Sequence, residues 1–146
     1  MKIGVGSDHA GYRLKRLVHD RLIGMGHDVV DFGTDSEASC DYPDYAKTVA
    51  TAVAEGKLDQ GILICGTGLG MAIAANKVKG IRAVTSNDIF TAELARAHND
   101  ANVLCMGARV VGDGLAEAIV SVFVETAFVG ARHKTRLDKI ARIEKG

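Results

Sequence analysis

Cys65 closes an apolar run, Gly61-Ile62-Leu63-Ile64-Cys65, and opens directly into Gly66-Thr67-Gly68-Leu69-Gly70. Alternating glycines let backbone N–H groups approach a ligand, and a helix beginning near Gly70 adds the positive end of its dipole. An anion or a developing oxyanion is stabilised in such a turn, and the same field favours a thiolate at Cys65. A tight strand–helix turn with a buried thiol needs no chemistry, and for a lone glycine turn that is the commoner case. Dinucleotide binding is the rival use of the stretch, with Gly66-x-Gly68 as its start and Asp88 as a ribose-binding acid. It fails because Met71 stands where the third glycine or alanine belongs, and because the turn follows the third strand instead of opening the fold.

Three further strings carry chemistry-bearing residues. Ser7-Asp8-His9-Ala10-Gly11 sets a carboxylate beside an imidazole at a strand end, an acceptor for hydroxyls and a titratable donor. N-capping of the first helix by Ser7 or Asp8 would account for Asp8 but not for His9. His98-Asn99-Asp100 ends a helix on which Phe90, Leu94 and His98 are spaced four apart, placing His98 on an apolar stripe; taken alone, a half-buried structural histidine explains it. In Arg132-His133-Lys134-Thr135-Arg136 the two arginines are four apart, so both guanidinium forks leave one helix face and suit a phosphate's oxygens. A solvated basic face is the plainer use of that string. Cys40 and Cys105 have no polar neighbours of note and read as a loop thiol and a core thiol.

Positioning these groups falls to alternating β-branched runs and amphipathic segments. The predicted strands are Lys2–Ser7, His27–Phe32, Gly61–Cys65, Ile81–Ser86 and Asn102–Met106. Leu14, Leu17, Val18 and Leu22 keep helical spacing while Arg13, Lys15, Arg16 and Asp20 face away; Tyr45, Val49, Ala52 and Val53 repeat the pattern. Asp88 and Asp113 are read as N-caps, the latter for a helix to about Phe128. Gly26, Gly56 and Gly80 stand where helices should stop. A charged helix from about Arg132 to Ile143 closes the chain. Five strands separated by helices predict a parallel sheet covered on both faces, with ligands beyond the carboxyl ends of the strands.

The chain of 146 residues is expected to form one domain with a sizeable core, since 47% of it is hydrophobic and a quarter is charged. Zero net charge removes the field that nucleic-acid and membrane-surface binders use, and the apolar runs are too short to cross a bilayer. No signal-peptide pattern follows Met1. Three cysteines without a CxxC pair indicate neither a disulfide framework nor a zinc site. A soluble, cytoplasmic protein with free thiols is expected.

Taken in order, "SDHAG", "DYPDYA", "CGTGLG…AANK" with "GIRA", and "HNDAN…GARVVG" followed by "RHKTR" resemble the RpiB/LacAB sugar-phosphate isomerase family over nearly the whole chain. The resemblance implies a Rossmann-like α/β/α sandwich around a five-stranded parallel sheet ordered 2-1-3-5-4. Asp8-His9 and Cys65-Thr67 would then face one crevice. It implies aldose–ketose isomerisation of ribose 5-phosphate and ribulose 5-phosphate through a cis-enediolate. Cys65 matches the base, and Thr67 with the amides of Gly66, Gly68, Leu69 and Gly70 matches the groups that hold the enediolate oxygen. His98 matches the histidine that opens the furanose ring. Asp8, His9 and Asn99 match substrate contacts, and Arg109, Arg132 and Arg136 match the basic positions around the phosphate. A branch of the family that uses glutamate carries it at the position aligned with Met71, so this chain falls in the cysteine branch. No metal or redox cofactor is implied. A homodimer or a dimer of dimers with sites at the dimer interface is. Allose 6-phosphate, galactose 6-phosphate or a tetrose phosphate are the other substrates within the class. A non-catalytic sugar-phosphate or nucleotide-binding module is the reading outside it, though such a module has no use for a thiol facing the phosphate crevice.

Overall fold

A computed structural model describes residues 1–146. Eleven elements follow one another as β1 (Lys2–Ser7), α1 (Tyr12–Gly24), β2 (Asp28–Asp31), α2 (Tyr42–Ala54), β3 (Gln60–Cys65), α3 (Leu69–Ala75), β4 (Ala83–Thr85), α4 (Ile89–Ala97), β5 (Val103–Gly107), α5 (Asp113–Glu125) and α6 (Arg132–Lys145). All strand pairs are parallel and the order is β2-β1-β3-β5-β4. Central β3 is buried at all six positions, as a strand covered on both faces must be. The edge strands β2 and β4 are shorter than the sequence predicted. Each has a neighbour on one side only, so the flanking residues gain no second ladder.

Side-chain alternation splits the core into two layers. Ile3, Val5, Ile62, Ile64, Leu104 and Met106 meet α1, α4 and α5 through Leu14, Val18, Ala92, Ile119 and Phe123. Leu63, Cys65, Val103 and Cys105 meet α2 and α3 through Val49, Ala50, Met71 and Ala75. Cys65 therefore points to the α2/α3 side, and Met71 is fully buried in the same layer.

Several local expectations are corrected. Lys15 does not face solvent: it is 1% exposed and its ammonium makes bonds of 2.6 and 2.7 Å to both oxygens of Asp31 at the end of β2. Helical spacing reads the ammonium as outward, but the long side chain turns back over the sheet edge to a carboxylate sixteen residues away in sequence. Neither Ser7 nor Asp8 caps α1. Gly11 is the N-cap, and Asp8 Oδ1 instead accepts its N–H at 3.1 Å. Asp88 does cap α4, accepting the Thr91 N–H at 2.7 Å, and the bond from the Thr91 hydroxyl first, then that from the Thr91 N–H, holds its carboxyl below the usual carboxylate range. Gly112, not Asp113, is the N-cap of α5, which stops at Glu125. Gly26 and Gly56 follow their helices with positive φ, whereas α3 ends at Ala75, well before Gly80. Phe90 is 68% exposed, so the Phe90–Leu94–His98 stripe is not the core face of α4; that face is Ala92 and Ala95.

Candidate active site

At the carboxyl ends of β1, β3 and β5 the backbone ties three loops together. The Asp8 N–H donates to Ile64 O, the Ala108 N–H to Cys65 O at 2.8 Å, and the Arg109 N–H to Gly66 O at 3.0 Å. Cys65 is 5% exposed, and the Gly68 N–H donates to its sulfur at 3.2 Å. An N–H aimed at the sulfur stabilises negative charge there. Gly68 has φ +82°, and a Cβ on it would lie 2.9 Å from the Met106 carbonyl carbon, so only glycine suits both the left-handed turn and the contact with β5. Thr85 Oγ1 donates to Gly68 O at 3.0 Å, and Asn87 Oδ1 accepts the Gly107 N–H at 2.9 Å. These bonds from the β4 end brace the turn.

Around this turn stand most of the sequence-predicted residues. Thr67 and Leu69 are exposed, and Thr67 Oγ1 accepts the Leu69 N–H at 3.3 Å. The Arg109 guanidinium lies over Gly66, its Nη1 2.9 Å from where a Cβ would be. Asp8 is buried beside β3, and His9 is half-buried with Nδ1 3.2 Å from both the amide nitrogen and the carbonyl oxygen of Cys40. One of those two groups holds the imidazole in either tautomer. Cys40 thus contributes its backbone, and Tyr42 contributes its ring, 2.5 Å from where a Cβ of Gly70 would be. Tyr42 was missed as an individual residue although the DYPDYA string contains it, and Cys40, read as a loop thiol, gave no signal that its backbone would hold His9. Cys105, next along the α2/α3 layer, is fully buried; burial first, and then the nearness of Cys65, pushes its thiol up and keeps it neutral.

His98, Asn99, Arg132 and Arg136 are elsewhere. Helices of a parallel sheet start at the carboxyl edge and run back, so His98, at the end of α4, reaches the opposite edge. There Asn102 O accepts the Gly61 N–H at the start of β3, and Ala97 O accepts the Val129 N–H. The α6 helix is tied to this edge too, through Glu144 Oε1 and the Gly80 N–H at 2.8 Å. His98 stacks on His133 with ring centroids 4.1 Å apart and planes 11° from parallel. His133, 7% exposed and missed from sequence, has its pKa lowered, first by desolvation and then by His98, Arg132 and Arg136. Along β3, five steps of about 3.3 Å put the two edges roughly 16 Å apart. One chain brings together the cysteine, glycine-turn, Asp8-His9 and Arg109 groups. It holds the histidine–arginine group apart from them.

No three His, Cys, Asp or Glu side chains converge in a way that could hold a metal ion, and no helix is long and apolar enough to cross a membrane. Residues 3–140 match the family model described as Ribose/Galactose Isomerase. The chain belongs to the ribose/galactose isomerase family. Ribose-5-phosphate isomerase B of Escherichia coli (strain K12) is 50% identical over 143 residues, covering 98% of this chain and 96% of that one. Among solved structures, ribose-5-phosphate isomerase B of Clostridium thermocellum superposes with a TM-score of 0.98 at 54% identity, covering 99% of this chain and 98% of that one. The Mycoplasma genitalium enzyme, solved with bound ribulose-5-phosphate, gives a TM-score of 0.95 at 46% identity, covering 99% of this chain and 96% of that one. Family membership thus agrees with the sheet order.

Proposed function

We propose that this chain interconverts ribose 5-phosphate and ribulose 5-phosphate without a metal, with Cys65 as base and with each site shared by two copies of the chain. The observation that carries the reading is the Cys65 sulfur, held at the strand–helix junction under a Gly68 N–H, between Asp8 and Arg109. The relatives named for ribose-5-phosphate isomerase B support the substrate.

In the proposed reaction His98 passes a proton from the anomeric hydroxyl to the ring oxygen and opens the furanose. Cys65 then removes the C2 proton; the C2–H electron pair becomes the C1=C2 bond and the carbonyl oxygen becomes the enediolate oxygen. Thr67 and the amides of Gly66, Gly68, Leu69 and Gly70 hold that oxygen. Return of the proton to C1, with transfer of the C2 hydroxyl proton to the C1 oxygen, gives the ketose. Asp8, His9 and Asn99 bind sugar hydroxyls, while Arg109, Arg132 and Arg136 surround the phosphate.

Two features support the shared site. The ring-opening and proton-transfer groups must both come within about 3 Å of neighbouring substrate atoms, yet one chain keeps their two edges far apart. Leu69 and Ile73, 59% and 64% exposed, share the outer face of α3 beside the glycine turn and offer a second copy an apolar surface. Steady-state assays over five- and six-carbon aldose phosphates test the substrate, with the highest kcat/KM expected for ribose 5-phosphate. A clear preference for a six-carbon phosphate would replace the sugar. Binding without turnover or solvent-proton exchange for every sugar would replace the enzyme by a binding module.

A further inference from the structure

The turn that presents His98 and Asn99 is held from behind by two arginines that the proposed reaction does not use. Asp100 adopts φ +45°, a left-handed conformation uncommon for a residue with a side chain, so the turn is not its own lowest-energy form. Arg82, of the "GIRA" string, donates from Nε to Asn99 O at 3.2 Å and to Asp100 O at 3.0 Å. Its Nη2 donates to Asp100 O at 2.8 Å and to Asp100 Oδ2 at 3.2 Å. From the other side, Arg96 Nη1 donates to Asp100 Oδ1 at 2.8 Å and to Ala101 O at 2.7 Å. Three consecutive carbonyls and one carboxylate are thereby fixed by two guanidinium forks. The Asn99 side chain is left exposed, and the His98 ring is left to its stack on His133.

We infer that Arg82 and Arg96 are positioning residues that clamp the 98–101 turn through Asp100 and set the direction in which His98 meets the substrate; this rests on the ring-opening role proposed for His98. A planar fork is required because one side chain must reach two carbonyls and a carboxylate together. Lysine, a single ammonium on a flexible stem, cannot reproduce that. The clamp acts through His98, so its loss should resemble the loss of His98 and should not add to it.

The test is a double-mutant cycle in the full-length protein with Arg82→Lys, His98→Asn and the double variant. It compares kcat/KM for ribose 5-phosphate with solvent-proton exchange from ribulose 5-phosphate, an acyclic substrate. Arg82→Lys should lower the first by about fivefold or more and the second by less, and on the His98→Asn background it should cost less than about twofold. Arg96→Lys gives the same cycle if Arg82→Lys does not fold. Asp100→Asn, which keeps the carbonyl bonds, should lose less than either. Equal losses in both assays, or independent losses that multiply in the double variant, would overturn the clamp while leaving His98 its role. A His98→Asn protein with normal turnover of ribose 5-phosphate would overturn the ring-opening role and the clamp with it.

Discussion

Mixing two inactive variants tests how the site is divided between chains. Cys65 lies at the carboxyl edge of the sheet and His98 at the opposite edge, roughly 16 Å away along β3, while the proposed reaction has both act on neighbouring atoms of one sugar. If a two-fold dimer supplies Cys65 from one chain and His98 from its partner, the two sites of a dimer are equivalent. In a hybrid of Cys65→Ala and His98→Asn chains, one site then collects both lesions and the other collects none. Random exchange at equal concentrations makes half the dimers hybrids, so about a quarter of all sites are intact. Each parent should retain no more than about 1% of wild-type turnover of ribose 5-phosphate, given the 10²–10⁴-fold usual for acid–base groups. Co-refolding should therefore raise activity from that background to about a quarter of wild type. Separately tagged chains, purified through both tags, should reach about half. Activity that stays at the mean of the parents after verified exchange would refute the division, because every hybrid site would then carry one lesion.

The buried ion pair gives an asymmetric stability prediction. Asp31→Asn strands the Lys15 ammonium and should cost about 2–4 kcal/mol in urea unfolding, at the low end because Asp31 is partly hydrated; Lys15→Met, which removes the buried charge, should cost less. A larger loss for Lys15→Met would contradict this. Gly68→Ala forces a side chain into φ +82° against Met106 and should cost about 1–3 kcal/mol, with turnover falling as the Cys65 turn shifts; wild-type stability and turnover would argue against the tight turn. The lowered pKa of His133 means the folded protein resists protonation there. Stability is therefore held above the ordinary imidazole value of about 6.5 and lost as pH falls below it. His133→Asn should fall less steeply in Tm from pH 7 to pH 5 than wild type, and parallel slopes would remove His133 as a cause.

Strand identity was legible because β1 and β3 are apolar runs ended by polar or glycine-rich turns, and the motif series carried the strand order. The Cys65 turn was legible for the same reason: glycine spacing is a local signal. Lys15 was not, since its partner is set by how α1 lies against β2. The Phe90 stripe misled because periodicity tells which residues share a face but not which face meets the core. The separation of His98 from Cys65 follows from strand direction and from the end of α4, and motif content alone does not carry it. Arg96 and Asp100 stand four apart and could have been paired from sequence, but the bonds of Arg82 and Arg96 to the carbonyls of residues 99–101 stayed hidden, because main-chain acceptors have no sequence signature.

In the proposed reaction the Cys65 thiolate takes the C2 proton. The most direct measurement of that step is exchange of that proton with deuterated solvent, followed for ribose 5-phosphate with wild-type and Cys65→Ala protein at equal substrate saturation. Exchange and turnover should fall together by about 10²–10⁴-fold in the variant, with fold and substrate binding retained. A folded Cys65→Ala protein that exchanges the C2 proton at the wild-type rate would contradict the account.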